Sequence, residues 1–269
     1  YTFTLRDGLT FHDGATVTSE DCIASIKRWA SRDAMGQKLM ASVKDLAAVD
    51  AKTFSLTLKE PYGLVLESLG KPSSLVPFIM PKRVADTPGN TQITDTTGSG
   101  PFVFRKDLWR PGEKTVYDKN KDYVARSEPP SGFAGGKVVK VDRVEWPSIA
   151  DPQTAVSALA SGEIDAVESV SHDLLPLLQK KKDIALARGT YANQYSMRPN
   201  WLHPPFNNLK ARQALQMMVD QLDYLRAGFG DDERLWSTCY SYFVCGAPYG
   251  TDAGSEQYKK ADIAKAKQL

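Results

Sequence analysis

The residues best suited to chemistry are a pair of cysteines and the aromatic and polar side chains near them. Cys239 and Cys245 lie in STCYSYFVCGAP, residues 237–248, a loop by composition. Close cysteines in a loop suit a disulfide, a metal pair or coincidence. Thiolate metal sites favour spacers of two to four residues and need two further ligands. The three histidines, His12, His172 and His203, are far apart and offer no matching pair. A Cys239–Cys245 disulfide is therefore the expected state, closing a loop of about seven residues worth on the order of 2 kcal/mol. It would imply an oxidising compartment. Cys22 falls on an apolar helical face and reads as a small buried hydrophobe.

The second group is aromatic and polar. Tyr195, Arg198, Asn200 and Trp201 stand in NQYSMRPNW, residues 193–201, while Trp236, Tyr240, Tyr242 and Phe243 gather around the cysteine loop. Flat apolar rings with a few orienting polar groups are what small-molecule pockets use. The same pattern equally suits an aromatic mini-core under a loop. Arg198 suits either an anionic ligand group or a surface salt bridge. Arg212 and Asp220 read as structural.

No catalytic signature accompanies these residues. The string ending in Gly136-Lys137 has Ser131 where a phosphate loop needs its first glycine and Val138 where it needs a hydroxyl. Gly98-Ser99-Gly100 opens like a dinucleotide fingerprint but lacks its third glycine. Neither a G-x-S-x-G elbow nor an H-E-x-x-H string occurs. The chain reads as a non-enzyme without metal or cofactor.

The elements that must position these groups show in the periodicity. Residues 1–5 and 53–58 alternate as strands. Thr18-Ser19-Glu20-Asp21 is a capping box opening a helix with Cys22, Ile23, Ile26, Trp29 and Ala30 at helical spacing. Pro61, Gly63, Pro72, Pro77 and Pro81 leave room only for short helices. Residues 101–105 and 114–118 suggest a hairpin around Arg110-Pro111-Gly112, with a long strand over 138–146. Asp151, Pro152 and Gly162 frame a helix over 151–161. Strands are expected over 164–168, 184–188 and 191–197. Helices are expected through Leu174–Leu178 and over 208–225, the latter capped by Asn207 or Asn208. Strands alternating with helices indicate the α/β class.

The 269 residues carry 34 Lys+Arg against 32 Asp+Glu, and the net charge of +2 comes without the basic stripe of a nucleic-acid binder. With 42% hydrophobic and 25% charged residues the composition is globular, which excludes a disordered tail, a collagen-like fibre and a cysteine-stapled mini-protein. No apolar run approaches the ~18 residues that span a bilayer. Tyr1 is not Met and already begins a strand-like alternation, so a processed or excised chain is expected.

Several strings, in order, resemble the family 5 extracellular solute-binding proteins of ABC transporters, the dipeptide-, oligopeptide- and nickel-binding group. YTFTLRDGLTFHDGATVTSEDCIASIKRW, residues 1–29, is similar to that family's strand, turn and capped helix, with Asp13-Gly14, Thr18 and Asp21 in its pattern. GSGPFVFRKDLWRPGEKTVYDKNKDYV, residues 98–124, resembles its G-S/T-G-P strand, Pro-Gly turn and returning strand. DPQTAVSALASGEIDAVE, residues 151–168, resembles its helix-Gly-Glu-x-Asp element. PFNNLKARQALQMMVDQLDYL, residues 205–225, resembles its Pro-Phe-x-D/N-x-x-x-R-x-A helix, here with Asn207, Arg212 and Ala214. ADIAKAKQL, at the end, is similar to the start of a further helix.

The resemblance implies an α/β, two-lobed periplasmic-binding-protein-like (type II) fold, incomplete at both ends because family members are much longer. Residues 1–95 would be an extra subdomain of lobe I, 96–189 part of the lobe I core, and 190–269 part of lobe II. The implied function is capture of a small solute, peptide-like or other, by lobe closure, and its delivery to an ABC transporter permease. The implied protein is exported, periplasmic and monomeric, without cofactor or nucleic acid, and its export independently favours the Cys239–Cys245 disulfide. Tyr195, Arg198, Asn200, Trp201, Trp236 and Tyr240 become the expected ligand contacts. Trp and Tyr would cover the ligand, Arg198 would meet an anionic group, and Asn200 would orient by hydrogen bonds. The alternative is a ligand-sensing domain of a signalling receptor or regulator. A hydrolase on a similar scaffold would need a nucleophile or metal constellation.

Overall fold

The structure, a computed structural model, describes the chain apart from residues 72–73, 133, 188–193 and 248. The chain forms two compact units, Tyr1–Ser148 and Ile149–Leu269.

In the first unit the alternating segments become an antiparallel sheet. β1 (Thr2–Thr4) pairs with β3 (Thr53–Leu58), whose other edge takes β2 (Val43–Ala48). Phe54 and Leu56, two residues apart, are buried as the period of a strand requires. They join Cys22, Ile26, Trp29 and Ala30 of α1 (Ser19–Ala30) in one core. α1 starts where the capping box places it. The Asp21 carboxylate accepts from the Thr18 N–H at 2.8 Å, and the Thr18 hydroxyl accepts from the Asp21 N–H. α2 (Ala34–Ser42) starts at buried Asp33, which accepts from the Gly36 N–H at 2.9 Å and pairs with Lys71 at 2.7 Å. It runs directly into β2. Among the described residues of this proline-rich stretch the helices are short: α3 (Val65–Leu69) and, directly after Pro81, α4 (Lys82–Ala85).

A second antiparallel sheet completes this unit, in the order β4 (Phe102–Phe104), β5 (Lys114–Lys119), β6 (Arg143–Pro147). The β4–β5 connection turns at Gly112, whose φ of +79° suits glycine. Asp118 pins the sheet by accepting from Arg143 Nε at 2.6 Å and Arg105 Nη1 at 2.5 Å. These two guanidinium groups lower its pKa to about 2. The strand expected over 138–146 begins only at Arg143, because pairing with β5 ends there, opposite Asp118.

The second unit is helical among its described residues. α5 (Pro152–Ser161) is framed as expected: Asp151 Oδ1 accepts from the Thr154 N–H at 2.7 Å, and Gly162 closes the helix at a φ of +78°. α6 (Leu175–Gln179) follows a 3-10 turn, His172–Leu174. The single helix expected over 208–225 is instead two, α7 (Leu209–Met218) and α8 (Gln221–Phe229). Val219 is extended, and Asp220 opens α8 by accepting from the Leu222 N–H at 2.9 Å, a local bond that competes with helix continuation. α9 (Ile263–Ala266) follows near the end.

The strands expected in this unit do not form among its described residues. Residues 164–168, 184–187 and 194–197 are irregular; residues 188 and 191–193 lie outside the described residues. A strand exists only with a partner for its ladder, and the described residues of this unit hold no strand to pair with them. No helix among the described residues is long and apolar enough to cross a membrane.

Candidate functional site

Cys239 and Cys245 are joined as a disulfide. Cys22 is buried and free, and burial pushes its thiol up to about 11. The loop that the disulfide closes is braced by side chains without any spacing signature in the sequence. Gln221, the first residue of α8, donates from Nε2 to the Cys239 carbonyl at 2.8 Å. Its Oε1 accepts the Cys239 N–H, also at 2.8 Å. Gln194 donates to the Ser241 carbonyl at 3.0 Å, and the buried Ser241 hydroxyl accepts from the Thr251 N–H at 3.0 Å. The Tyr240 hydroxyl donates to the Lys259 carbonyl at 3.0 Å. The Lys259 ammonium in turn pairs with Asp252 at 2.6 Å, which lowers the carboxyl and raises the ammonium.

The residues singled out from the sequence fall into two sets. Tyr195, Arg198, Asn200 and Trp201 are exposed, Tyr195 by 75% and Trp201 by 64%. The Tyr195 ring lies 5.3 Å from Phe229, which meets His172 edge-on at 4.9 Å. Asn200 Oδ1 accepts from the Leu202 N–H at 3.1 Å, shaping the turn after it. Trp236 is buried and its indole N–H donates to the Gly230 carbonyl at 2.8 Å. Tyr240 is half-buried. Trp236 and Tyr240 thus spend their polar atoms on backbone carbonyls, while the 195–201 segment presents its rings and guanidinium outward. Gln194 ties that segment to the loop.

Beside them Met197 and Pro199 form an open groove of about 340 Å3 with Leu209, Arg212, Leu215 and Val219. Arg212 spends Nη1 on the Phe206 carbonyl at 2.6 Å, in keeping with a structural role. Tyr242, Phe243 and Tyr249 project from the braced loop with ring centroids 5.2 and 6.2 Å apart. No group of three or more His, Cys, Asp or Glu side chains among the described residues is placed to hold a metal ion. What this arrangement can do is bind, with exposed rings for flat apolar contact, a cation for an anion, and a disulfide-closed, hydrogen-bonded loop beside them.

The model of the bacterial extracellular solute-binding proteins, family 5 (middle), matches residues 1–269. A probable peptide ABC transporter periplasmic-binding protein of Sinorhizobium fredii, y4tO, is 45% identical over 276 aligned positions, spanning 100% of this chain and 51% of that protein. Among solved structures, AgaA of A. tumefaciens R10 in complex with agropinic acid aligns with a TM-score of 0.72 at 27% identity, over 99% of this chain and 51% of its own. DppA of Helicobacter pylori in complex with the peptide STSA aligns with a TM-score of 0.73 at 23% identity, over 100% of this chain and 53% of its own. The fold is therefore the α/β fold of two-lobed periplasmic binding proteins, and the chain spans about half the length of these relatives.

Proposed function

Because the chain belongs to family 5 of the bacterial extracellular solute-binding proteins, we propose that it serves in the solute-capturing component of an ABC transporter and that its solute is a peptide. The observation that carries the peptide is the 45% identity, over the whole chain, to a relative named as a probable peptide-binding protein. On this reading the protein is exported to the periplasm and works as a monomer. Its Cys239–Cys245 disulfide suits that oxidising compartment.

Residues 1–95 are the added subdomain of the first lobe, 96–189 belong to the core of that lobe, and 190–269 to the second. A ligand that binds the closed arrangement better than the open one shifts the population toward it by its differential affinity. The closed form is then what the permease receives. Arg198 takes a peptide carboxylate, for which a planar guanidinium offers paired donors. Tyr195 and Trp201 lie against apolar side chains of the peptide, and Asn200 orients it. Trp236 and Tyr240 act behind them, where the bonds to Gly230 and Lys259 keep the loop in shape.

Thermal-shift and calorimetric titrations of the whole protein with di- to tetrapeptides and with agropinic acid test this reading. A true ligand raises the melting temperature by mass action. Arg198→Ala should weaken the best peptide roughly ten- to a hundredfold, the worth of a hydrogen bond to a charged group. Stabilisation by agropinic acid alone would replace the peptide by another solute. An unchanged affinity in Arg198→Ala would remove that residue from the site.

A further inference from the structure

Gly98-Ser99-Gly100, which supports neither phosphate nor dinucleotide chemistry, is spanned at both glycines by the His12 side chain. The His12 N–H donates to the Gly98 carbonyl at 2.8 Å. The imidazole then spans the same stretch. The Gly98 N–H donates to Nδ1 at 3.3 Å, and Nε2 lies 3.1 Å from the Gly100 carbonyl oxygen. A backbone N–H can only donate, so Nδ1 must be bare; a carbonyl can only accept, so Nε2 must carry the proton. The contacts therefore select one tautomer of the neutral ring. An imidazolium carries protons on both nitrogens and would set N–H against N–H at Gly98. Glycine keeps this approach open, since a Cβ at position 98 would stand 3.2 Å from His12 Cε1.

The Gly100 carbonyl joins two parts of the first unit. Besides His12, which lies between β1 and α1, it accepts from Asn120 Nδ2 at 3.0 Å, directly after β5. The charged groups on the segments meeting here are Asp13, Arg83 and Asp95, with Lys119, Lys121 and Asp122 beside Asn120. Arg83 pairs with Asp13 at 2.9 Å and Asp95 at 3.1 Å. Asp13 is lowered by the Ala15 N–H and Asp95 by Thr97, so both stay ionised well below neutrality. Histidine is the side chain among these that changes charge between about pH 5 and 8.

We propose that His12 is a proton-operated latch: its neutral ring accepts from the Gly98 N–H, and protonation at Nδ1 releases that N–H while Nε2 keeps its bond to the Gly100 carbonyl. The test is amide hydrogen exchange of the whole protein at about pH 7.5 and about pH 5.5, across the range where histidine titrates. Rates are corrected for intrinsic exchange and referred to the Leu56 N–H, which is bonded to the Tyr1 carbonyl at 2.9 Å. Protection at Gly98 should fall about tenfold on acidification, the weight of one net hydrogen bond. In His12→Gln the side-chain amide can still donate to Gly100 but does not titrate, so the difference between the two pH values should vanish. Equal protection at both pH values in the wild type, or a difference that persists in His12→Gln, overturns the latch. If that variant loses the Leu56 protection, 15N spectra of the wild-type ring decide instead. A neutral ring protonated at Nδ1 refutes the proposal, and Nδ1 protonation in step with the loss at Gly98 supports it.

Discussion

Alanine at Gly36 and alanine at Gly228 should change stability in opposite directions, although each places a better helix former in a helix. An exposed helical Gly→Ala exchange ordinarily gains about 0.5–1 kcal/mol, because glycine loses more backbone freedom on folding. In α8 a Cβ at Gly228 would meet nothing within 4 Å, so a gain of this kind is expected there. In α2 a Cβ at Gly36 would stand 2.7 Å from Ala30 Cα, 3.1 Å from Trp29 Cζ3 and 3.2 Å from Ala30 Cβ. Ordinary contact begins at 3.4 Å, so α1 and α2 would have to separate by 3.4 − 2.7 = 0.7 Å or more. The α1 backbone cannot yield alone, since Trp29 and Ala30 are 8% and 4% exposed members of the core. Overpacking of this kind costs about 1–3 kcal/mol. Set against the lost glycine penalty, the net destabilisation is about 1 kcal/mol, or roughly fivefold in the local opening equilibrium. Amide exchange read separately over residues 34–42 and 221–229 should show α2 less protected in Gly36→Ala and α8 more protected in Gly228→Ala. A rise in α2 protection in Gly36→Ala would falsify the close approach of the two helices.

Three further outcomes follow from the same structure. Asp118, lowered to about 2 from an ordinary 3.8, contributes stability that is fully present above pH 3.8 and lost as pH falls toward 2. In acid unfolding monitored at β4–β6, Asp118→Asn should flatten that limb, and an unchanged limb counts against the Arg105–Asp118–Arg143 cluster. The Cys22 thiol, buried and raised to about 11, should resist an aromatic disulfide reagent at pH 8 until the protein unfolds, whereas labelling within minutes under native conditions contradicts its burial. Mass spectrometry without reductant should link Cys239 to Cys245, and reduction should destabilise the second unit by about 2 kcal/mol. A negligible change in denaturation midpoint would show that the Gln221 and Ser241 contacts hold the loop unaided.

Much of the local structure was legible because its signals act over three or four residues. Thr18 and Asp21 satisfy each other's backbone donors, and Asp151, Pro152 and Gly162 mark both ends of α5. TFSLTL alternates because one face of β3 is buried. The ordered strings of residues 1–29, 98–124 and 205–225 carried the family, and cysteine spacing carried the disulfide. For the candidate site, the sequence singled out the 195–201 groups, Trp236 and Tyr240 alike, and it carried no sign that the first are exposed while Trp236 and Tyr240 bond to the Gly230 and Lys259 carbonyls.

Other features waited on partners distant in the chain. VKDLAA has one β-branched residue and follows a run of helix formers, yet it is β2 because β3 lies beside it. Residues 164–168 look equally strand-like and are irregular, with no ladder to join among the described residues of their unit. The grip of Gln221 on Cys239 joins residues 18 apart, and that of His12 on Gly98 joins residues 86 apart. Caps and turns are settled by atoms already near in sequence. Ladders, braced loops and a shared imidazole need groups that only folding brings together, so tertiary structure decided them.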